Sequence, residues 1–297
     1  MNLRQLKIFL TVAKYRHFSK AAQELHITQS AVSMQIKQLE ETLGVILFDR
    51  LGKTVHLTAA GRILEEQALR ILGVEREIYQ AIEELKGLER GSVAVGASTT
   101  PGIYILPTIL GKYRRRYPHV ALNYWIAETQ QIEQMTLNNQ LDFGIVGGHL
   151  VEQDLRIEPY LTDELILVVG ANHPLATERG VGLEALQQLP FILRPKGSAT
   201  RKTIDDAAED MDVKLNVTME LRDAESVKRL VIAELGVTII SKHAVQYELE
   251  AGRLVHVPVE GLSLKRQLVV VSRHDKALST AAKALLALLH ETTEVER

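Results

Sequence analysis

Two groups of short polar side chains in this 297-residue sequence have the types and spacing for recognition chemistry. The first lies in Thr28-Gln29-Ser30-Ala31-Val32-Ser33-Met34-Gln35-Ile36-Lys37. Val32, Ile36, Leu39 and Leu43 recur at helical spacing, which leaves Gln29, Ser30, Ser33, Met34 and Lys37 on the opposite face behind a Thr28 cap. A helix entering the major groove presents its N-terminal half to the bases. Glutamine there pairs with adenine, serine meets several base edges, and an apolar tip such as Met34 meets a thymine methyl. The alternative is a solvated helix face. Downstream, Arg50, Gly52 and Lys53 form the tip of an expected two-strand hairpin made from Val45–Phe48 and Val55–Leu57. Lys53 would reach a minor groove or phosphates, and Arg50 would do the same or pair with the adjacent Asp49.

The second group is three clusters of hydroxyls, each placed where a helix is expected to begin. They are Ser98-Thr99-Thr100-Pro101, Glu128-Thr129-Gln130 and Gly197-Ser198-Ala199-Thr200-Arg201. Free amides at a helix N-terminus together with hydroxyls and Arg201 favour a small anion. Each hydroxyl taken singly reads first as a plain N-cap. Gly147-Gly148 follows a further expected strand and leaves room or admits close backbone approach. His149, His173 and His243 lack metal-ligand spacing, and the sequence carries no HExxH, GxSxG or phosphate-loop pattern. Neither a metal, nor a cofactor, nor a catalytic pair is implied.

These residues need elements to hold them. Leu6, Phe9, Leu10 and Ala13 predict a first helix over Leu3–Tyr15; Ser19 is expected to cap a second, whose Ala21 and Ala22 permit close approach, followed by a turn at His26-Ile27. The third helix should stop at Gly44, which tolerates positive φ. From a Thr58 N-cap to about Glu89 the chain has no proline, and Leu64, Ile71, Ile78 and Leu85 recur every seven residues. That is a coiled-coil seam about 45 Å long at 1.5 Å per residue, and it asks for a partner helix. Beyond Gly91, strands at 93–96, 120–124 and 143–146 alternate with helices at 101–116 and 129–138, and a second such set runs from Leu165 to Ile240. A strand at 267–271 and a helix at 278–289 return to the first set. This alternation implies parallel α/β structure in two lobes with a cleft between them. Arg114-Arg115-Arg116 reads as a solvated helix end, and Trp125 as a core or lobe-interface residue.

The order of these pieces carries a resemblance. A helix-turn-helix followed by Leu47-Phe48-Asp49-Arg50, then Leu57-Thr58-Ala59-Ala60-Gly61 opening a long helix, resembles the LysR-type transcriptional regulators over essentially the whole chain. The resemblance implies a winged helix-turn-helix over residues 1–57, a linker and dimerisation helix over 58–90, and a periplasmic-binding-protein-like effector domain over 91–297. Its lobes would be about 91–162 with 266–297, and about 163–265. It implies a homodimer, built up to a homotetramer, that binds double-stranded promoter DNA and answers to a small effector. It also places Gln29, Ser30, Ser33 and Met34 at base-reading positions, and Ser98, Thr100 and Thr200 at effector-contacting positions. A basic or polar residue is frequent in the family where Met34 stands, and some members carry a further hydroxyl where this chain has Gly147-Gly148.

Composition agrees with a two-part molecule. A 46% hydrophobic, 24% charged chain without cysteine is ordinary globular material with neither disulfides nor thiolate sites. The charged start and short apolar runs suit a cytoplasmic protein with no membrane span. The net charge of −2 divides unevenly: residues 1–57 hold eight basic and four acidic side chains, a balance of +4, so the remaining 240 sum to −6. Phosphate attraction is screened beyond about 10 Å, so a local positive head is sufficient for DNA. A ligand-independent architectural DNA-binding protein would share this charge split and stays open beside the regulator reading. An enzyme with a fused DNA-binding head would need a nucleophile-base or carboxylate pair in the cleft.

Overall fold

The computed structural model describes residues 1–51, 54–84, 91–148, 150 and 154–295. It divides into two compact units, Met1–Gly87 with Asn138–Gln140, and Leu88–Leu137 with Leu141–Arg297.

The first unit contains α1 (Leu3–Tyr15), α2 (Phe18–Glu24), α3 (Gln29–Leu43), β1 (Phe48–Leu51), β2 (Thr54–Leu57) and α4 (Ala59–Glu84). Phe9, Val12, Val32, Leu39 and Leu47 form a solvent-free centre, and buried Ala21 and Ala22 let α2 pack closely. Thr28 caps α3 by accepting the Ala31 amide hydrogen at 3.2 Å, and Gly44 ends it at φ +68. Thr58 likewise accepts from the Gly61 amide at 3.0 Å and donates to the Ile46 carbonyl at 2.8 Å. Gly61 is obligatory there, because an added Cβ would stand 2.3 Å from the Leu47 carbonyl oxygen.

Two local expectations are corrected. His17, not Ser19, caps α2: its Nδ1 accepts the Ser19 amide hydrogen, because left-handed Arg16 (φ 49) ends α1 early enough for α2 to start at Phe18. Ser19 thus falls inside the first turn, where its hydroxyl donates to Gln29 at 2.7 Å. The wing strand begins at Phe48 rather than Val45. Val45 and Ile46 are exposed, and the Glu40 carboxylate takes the Leu47 amide at 2.8 Å, turning the chain before pairing starts.

The second unit opens with β3 (Gly91–Ser98), a π-helical turn (Pro101–Ile105), α5 (Leu106–Arg116), β4 (Val120–Ala127), α6 (Thr129–Leu137) and β5 (Phe143–Gly147). β3 lies parallel to both β4 and β5. β6 (Leu155–Gly170) then leads to α7 (Leu183–Leu186), β7 (Pro190–Leu193), α8 (Ala199–Asp210), β8 (Asn216–Glu220), α9 (Ala224–Ile232), β9 (Thr238–Ser241), α10 (Lys242–Glu250) and β10 (Leu254–His256). The chain returns through β11 (Leu264–Arg273) to α11 (Thr280–Val295).

Two apolar centres identify the lobes. Val95, Tyr113, Phe143 and Leu285 anchor one, and Leu167, Phe191, Ile204 and Val237 the other. The expected parallel pairing holds for β3 with β4 and β5 and for β7 with β8, but β6 runs antiparallel to β9 and β10, and β11 antiparallel to β5. β6 and β11 run antiparallel along their whole shared length, from Leu155↔Arg273 to Leu165↔Leu264, and carry the chain from one centre to the other. Pro159 sits beside the one register shift in this ribbon, where a missing N–H is tolerated. Trp125 is 38% exposed on β4, the edge strand of the sheet, so it is neither core nor lobe interface.

Candidate functional site

On α3, Thr28, Gln29, Ser30, Met34 and Lys37 are exposed and Ser33 is half-buried at the helix margin. Val32, Ile36 and Leu39 hold the opposite face in the core, which fixes how the polar face is presented. Gln29 is preoriented by the Ser19 hydroxyl, and Thr28 and Ser30 share a hydroxyl contact at 3.0 Å. Lys37 makes only a loose 3.7 Å pair with Glu41 on the surface, so its charge is available. Arg50 stands opposite Val55 in the hairpin register. Its side chain, and Lys53 entirely, lie outside the described residues.

In the second unit the structure brings together residues far apart in sequence. Arg266 and Asp163 are register partners on β11 and β6, and their side chains, 5% and 0% exposed, form an ion pair at 2.7 Å. The same guanidinium donates from Nη2 to the Thr100 hydroxyl at 3.0 Å and from Nη1 to the Thr200 hydroxyl at 2.9 Å. Ser241 at the end of β9 donates to the other Asp163 oxygen at 2.6 Å. One buried cation therefore ties together the threonines expected from the two lobes. Because each threonine oxygen accepts from Arg266, each hydroxyl proton is left to donate elsewhere.

The remaining expected residues fall around this junction in different roles. Ser98 is buried at the end of β3, and Thr99 is half-buried before the π-helical turn. Ser198 caps α8 by accepting the Arg201 amide hydrogen at 3.1 Å. Thr129 makes a long 3.4 Å contact to the Gly147 carbonyl. An added Cβ on Gly147 would meet Leu268 at 2.6 Å, and one on Gly148, at φ +92, would meet Ala199 at 2.7 Å. At Gly148 the positive φ and the approach to Ala199 both call for glycine, whereas at Gly147 the far end of the Leu268 side chain can shift. Arg201 is directed away from the threonines: it donates to Asp205 (2.8 Å), Glu220 (2.7 Å) and the Arg194 carbonyl (3.0 Å). Burial alone would lower its pKa, but these acidic partners more than offset that and hold its charge in place.

Reading the sequence missed Arg266, Asp163 and a second contact between lobes. Tyr104, in the π-helical turn, donates to Glu225 of α9 at 2.7 Å; Glu225 also pairs with buried Lys228 at 2.8 Å. Burial foremost, and then the bond to Glu225, push the Tyr104 phenol far up, so it stays a donor. The available signal was weak: Lys265-Arg266-Gln267 interrupts an apolar strand, and Asp163-Glu164 does the same 103 residues earlier.

Residues 3–62 match the model of the bacterial regulatory helix-turn-helix protein, lysR family, and residues 86–294 match the LysR substrate binding domain. The chain belongs to the LysR family of transcriptional regulators. This LysR-type chain is 34% identical over 284 residues to the RuBisCO operon transcriptional regulator of Allochromatium vinosum, covering 96% of this chain and 94% of that one. It is 32% identical over 287 residues to the HTH-type transcriptional activator CmpR of Synechocystis, covering 97% and 94%. Among solved structures, the regulatory domain of Synechocystis PCC6803 CcmR in complex with 2-PG aligns with a TM-score of 0.64 and 27% identity, covering 69% of this chain and 98% of that one. Full-length CbnR complexed with its target DNA aligns over 100% of both chains with a TM-score of 0.73 and 21% identity, a likeness of fold. The protein is a DNA-binding transcriptional regulator with a helix-turn-helix head and a two-lobed ligand-binding domain. No helix among the described residues is long and apolar enough to cross a membrane.

Proposed function

We propose that this regulator binds promoter DNA through Gln29, Ser30, Ser33, Met34 and Lys37, with Thr28 positioning the helix and Arg50 and Lys53 on the wing. A small anionic metabolite held at the Thr100–Arg266–Thr200 junction modulates its action. The observation that carries the ligand reading is the single guanidinium bonded to a hydroxyl from each lobe. Two hydroxyl protons and the nearby helix N-termini converge on an acceptor-rich ligand. Ser98, Thr99, Thr129, Gly147 and Ser198 line or shape the same cleft, with Arg201 bracing the start of α8. A ligand that bridges both lobes favours one lobe arrangement over another, which is what coupling to DNA requires. That the CcmR regulatory domain was solved with 2-PG supports a small ligand here. In keeping with its relatives, the protein acts as a regulator rather than an enzyme, in the cytoplasm.

Ile71, Val74, Ile78 and Ile82 are exposed on α4, with Leu85 of the same heptad series outside the described residues. Their exposure supports a homodimer through this helix, assembled further into a homotetramer. The testing experiment sequences genomic fragments retained by the protein at about 150 mM salt, where non-specific binding is largely suppressed. Dyad-symmetric sites whose occupancy responds to small anions support the proposal. Retention without a shared sequence, unmoved by any anion, replaces it with an architectural role. Thr100→Ala and Thr200→Ala should weaken the anion response while operator affinity stays nearly unchanged; equal loss of both overturns the division of labour.

A further inference from the structure

Arg194, the residue after β7, is a buried cation short of partners. Its side chain is 11% exposed, yet it makes one ion pair, from Nη2 to Glu128 at 3.3 Å, and its Nε is buried without a hydrogen-bond partner. Charge-assisted bonds of this kind normally close to about 2.7–2.9 Å. Arg266, buried to a similar degree, spends its donors on Asp163, Thr100 and Thr200. A buried guanidinium Nε left without an acceptor is unfavourable unless an anion completes it.

The surroundings fix where that anion would come from. The Arg194 carbonyl accepts from Arg201, which is itself braced by Asp205 and Glu220, so the backbone beneath the side chain is rigid. Asp223 also faces Arg194, but its oxygens are occupied by the Ser226 hydroxyl and the Ser226 and Glu225 amides at the start of α9. Glu128 belongs to the other lobe, immediately before α6, is 57% exposed, and is free to swing into water. Arg194 and Thr200 flank the same turn ahead of and within the start of α8.

We propose that Arg194 is the anchor for a second acidic group on the effector, that the cleft selects molecules carrying two acids, and that Glu128 occupies this anchor until such a molecule displaces it. This rests on the cleft reading above, in which the first acid sits at Thr100 and Thr200. A monoacid leaves the Arg194–Glu128 pair in place; a diacid replaces it and exchanges a contact between lobes for one through the ligand.

The test is calorimetric titration of the full chain with malonate, succinate, glutarate and phosphonoacetate. The monomethyl esters of the three dicarboxylates are titrated beside them, on the unaltered protein and on Glu128→Gln, Arg194→Gln, Arg194→Lys and Thr200→Ala. At least one diacid should bind about tenfold or more tightly than its half-ester, the scale of one charge-assisted contact. Glu128→Gln should tighten that diacid severalfold and leave the half-ester unchanged. Arg194→Gln should equalise the two, and Arg194→Lys, which keeps the charge without the fork, should preserve part of the preference and serves if the glutamine variant does not fold. A preference that survives Arg194→Gln overturns the proposal. So does a loss of stability in both Glu128→Gln and Arg194→Gln with an unaltered diacid-to-half-ester ratio, which marks the pair as a plain strap. Half-ester binding that needs Thr200 but shows no diacid preference overturns the second anchor and keeps the cleft reading. Silence toward every probe in every variant removes the cleft reading and the proposal with it.

Discussion

Helix α3 of the helix-turn-helix head shows its polar side chains to solvent, and the junction around Arg266 encloses its own. On α3, Gln29, Ser30 and Met34 are exposed, and what places them is an apolar interior behind them, centred on Phe9, Val32 and Leu39. In the cleft, Thr100 and Thr200 are held by a buried charge pair, Arg266–Asp163, that itself bonds to Ser241. Apolar packing is non-directional, so it can fix a helix while leaving its outer face free to change. A hydrogen-bonded ion pair is directional and intolerant, so it fixes individual atoms but fails as a whole when one partner goes. On the proposed reading, the head separates positioning from recognition, and the cleft joins them.

That contrast can be broken most forcefully at Asp163. Asp163→Ala leaves a buried guanidinium unpaired and should destabilise the effector unit by about 3–5 kcal/mol. Urea unfolding followed with an effector-unit probe would read that loss, and anion binding should vanish with it. The matching lesion in the head, Phe9→Ala, removes a solvent-free ring and should cost about 3–5 kcal/mol. Its signature is loss of operator binding with anion binding intact, seen by running both assays on one preparation.

Smaller changes sharpen the same contrast. Gln29→Ala should lower discrimination at one operator base by about 1–3 kcal/mol in a binding series across single-base variants. Its unfolding midpoint should barely move, since Gln29 is exposed and its bond from the Ser19 hydroxyl lies on the surface. Thr200→Ala should do both kinds of harm at once, weakening the anion and unfolding slightly earlier, because it also strips an acceptor from Arg266. The smallest effect belongs to Glu225. Burial would raise its pKa, but Lys228 and the Tyr104 hydroxyl outweigh that and hold it below the usual carboxylate range. Its contribution to stability is therefore complete above an unfolded value of about 4.3 and is lost as pH falls through the lower folded value. Glu225→Gln should flatten that acid limb in thermal scans between about pH 5 and 3 by slightly lowering stability at neutral pH and leaving it unchanged at the acid end.

What the sequence made legible follows from how local each device is. Thr28, Thr58 and Ser198 cap helices within three residues of themselves, and Gly44 ends a helix by its own φ, so composition and spacing are enough to find them. Periodicity likewise exposed α1, α3, α4 and the alternation of β3, α5, β4 and α6. Arg266 and Asp163 meet only because two strands separated by about a hundred residues run antiparallel, and no local pattern records that. β6 was half hidden, since Pro159, Asp163 and Glu164 interrupt what would otherwise be an apolar strand. Arg201 misled for the opposite reason: its place beside Thr200 suggested a shared ligand, but Asp205 and Glu220 claim its guanidinium.

The β6–β11 ribbon has a mechanical meaning. Two antiparallel strands bonded along their length resist stretching and splaying more than twist, so a lobe turning against its neighbour would wind the part of this ribbon that β5 and β9 leave unpaired. Asp163 and Arg266 face each other in the stretch of this ribbon between the β5 pairing of Leu268–Val271 and the β9 pairing of Leu165–Val168. A ligand bound as proposed would need little travel of its own, since a few degrees of rotation in this stretch become ångströms at the far rim of a lobe.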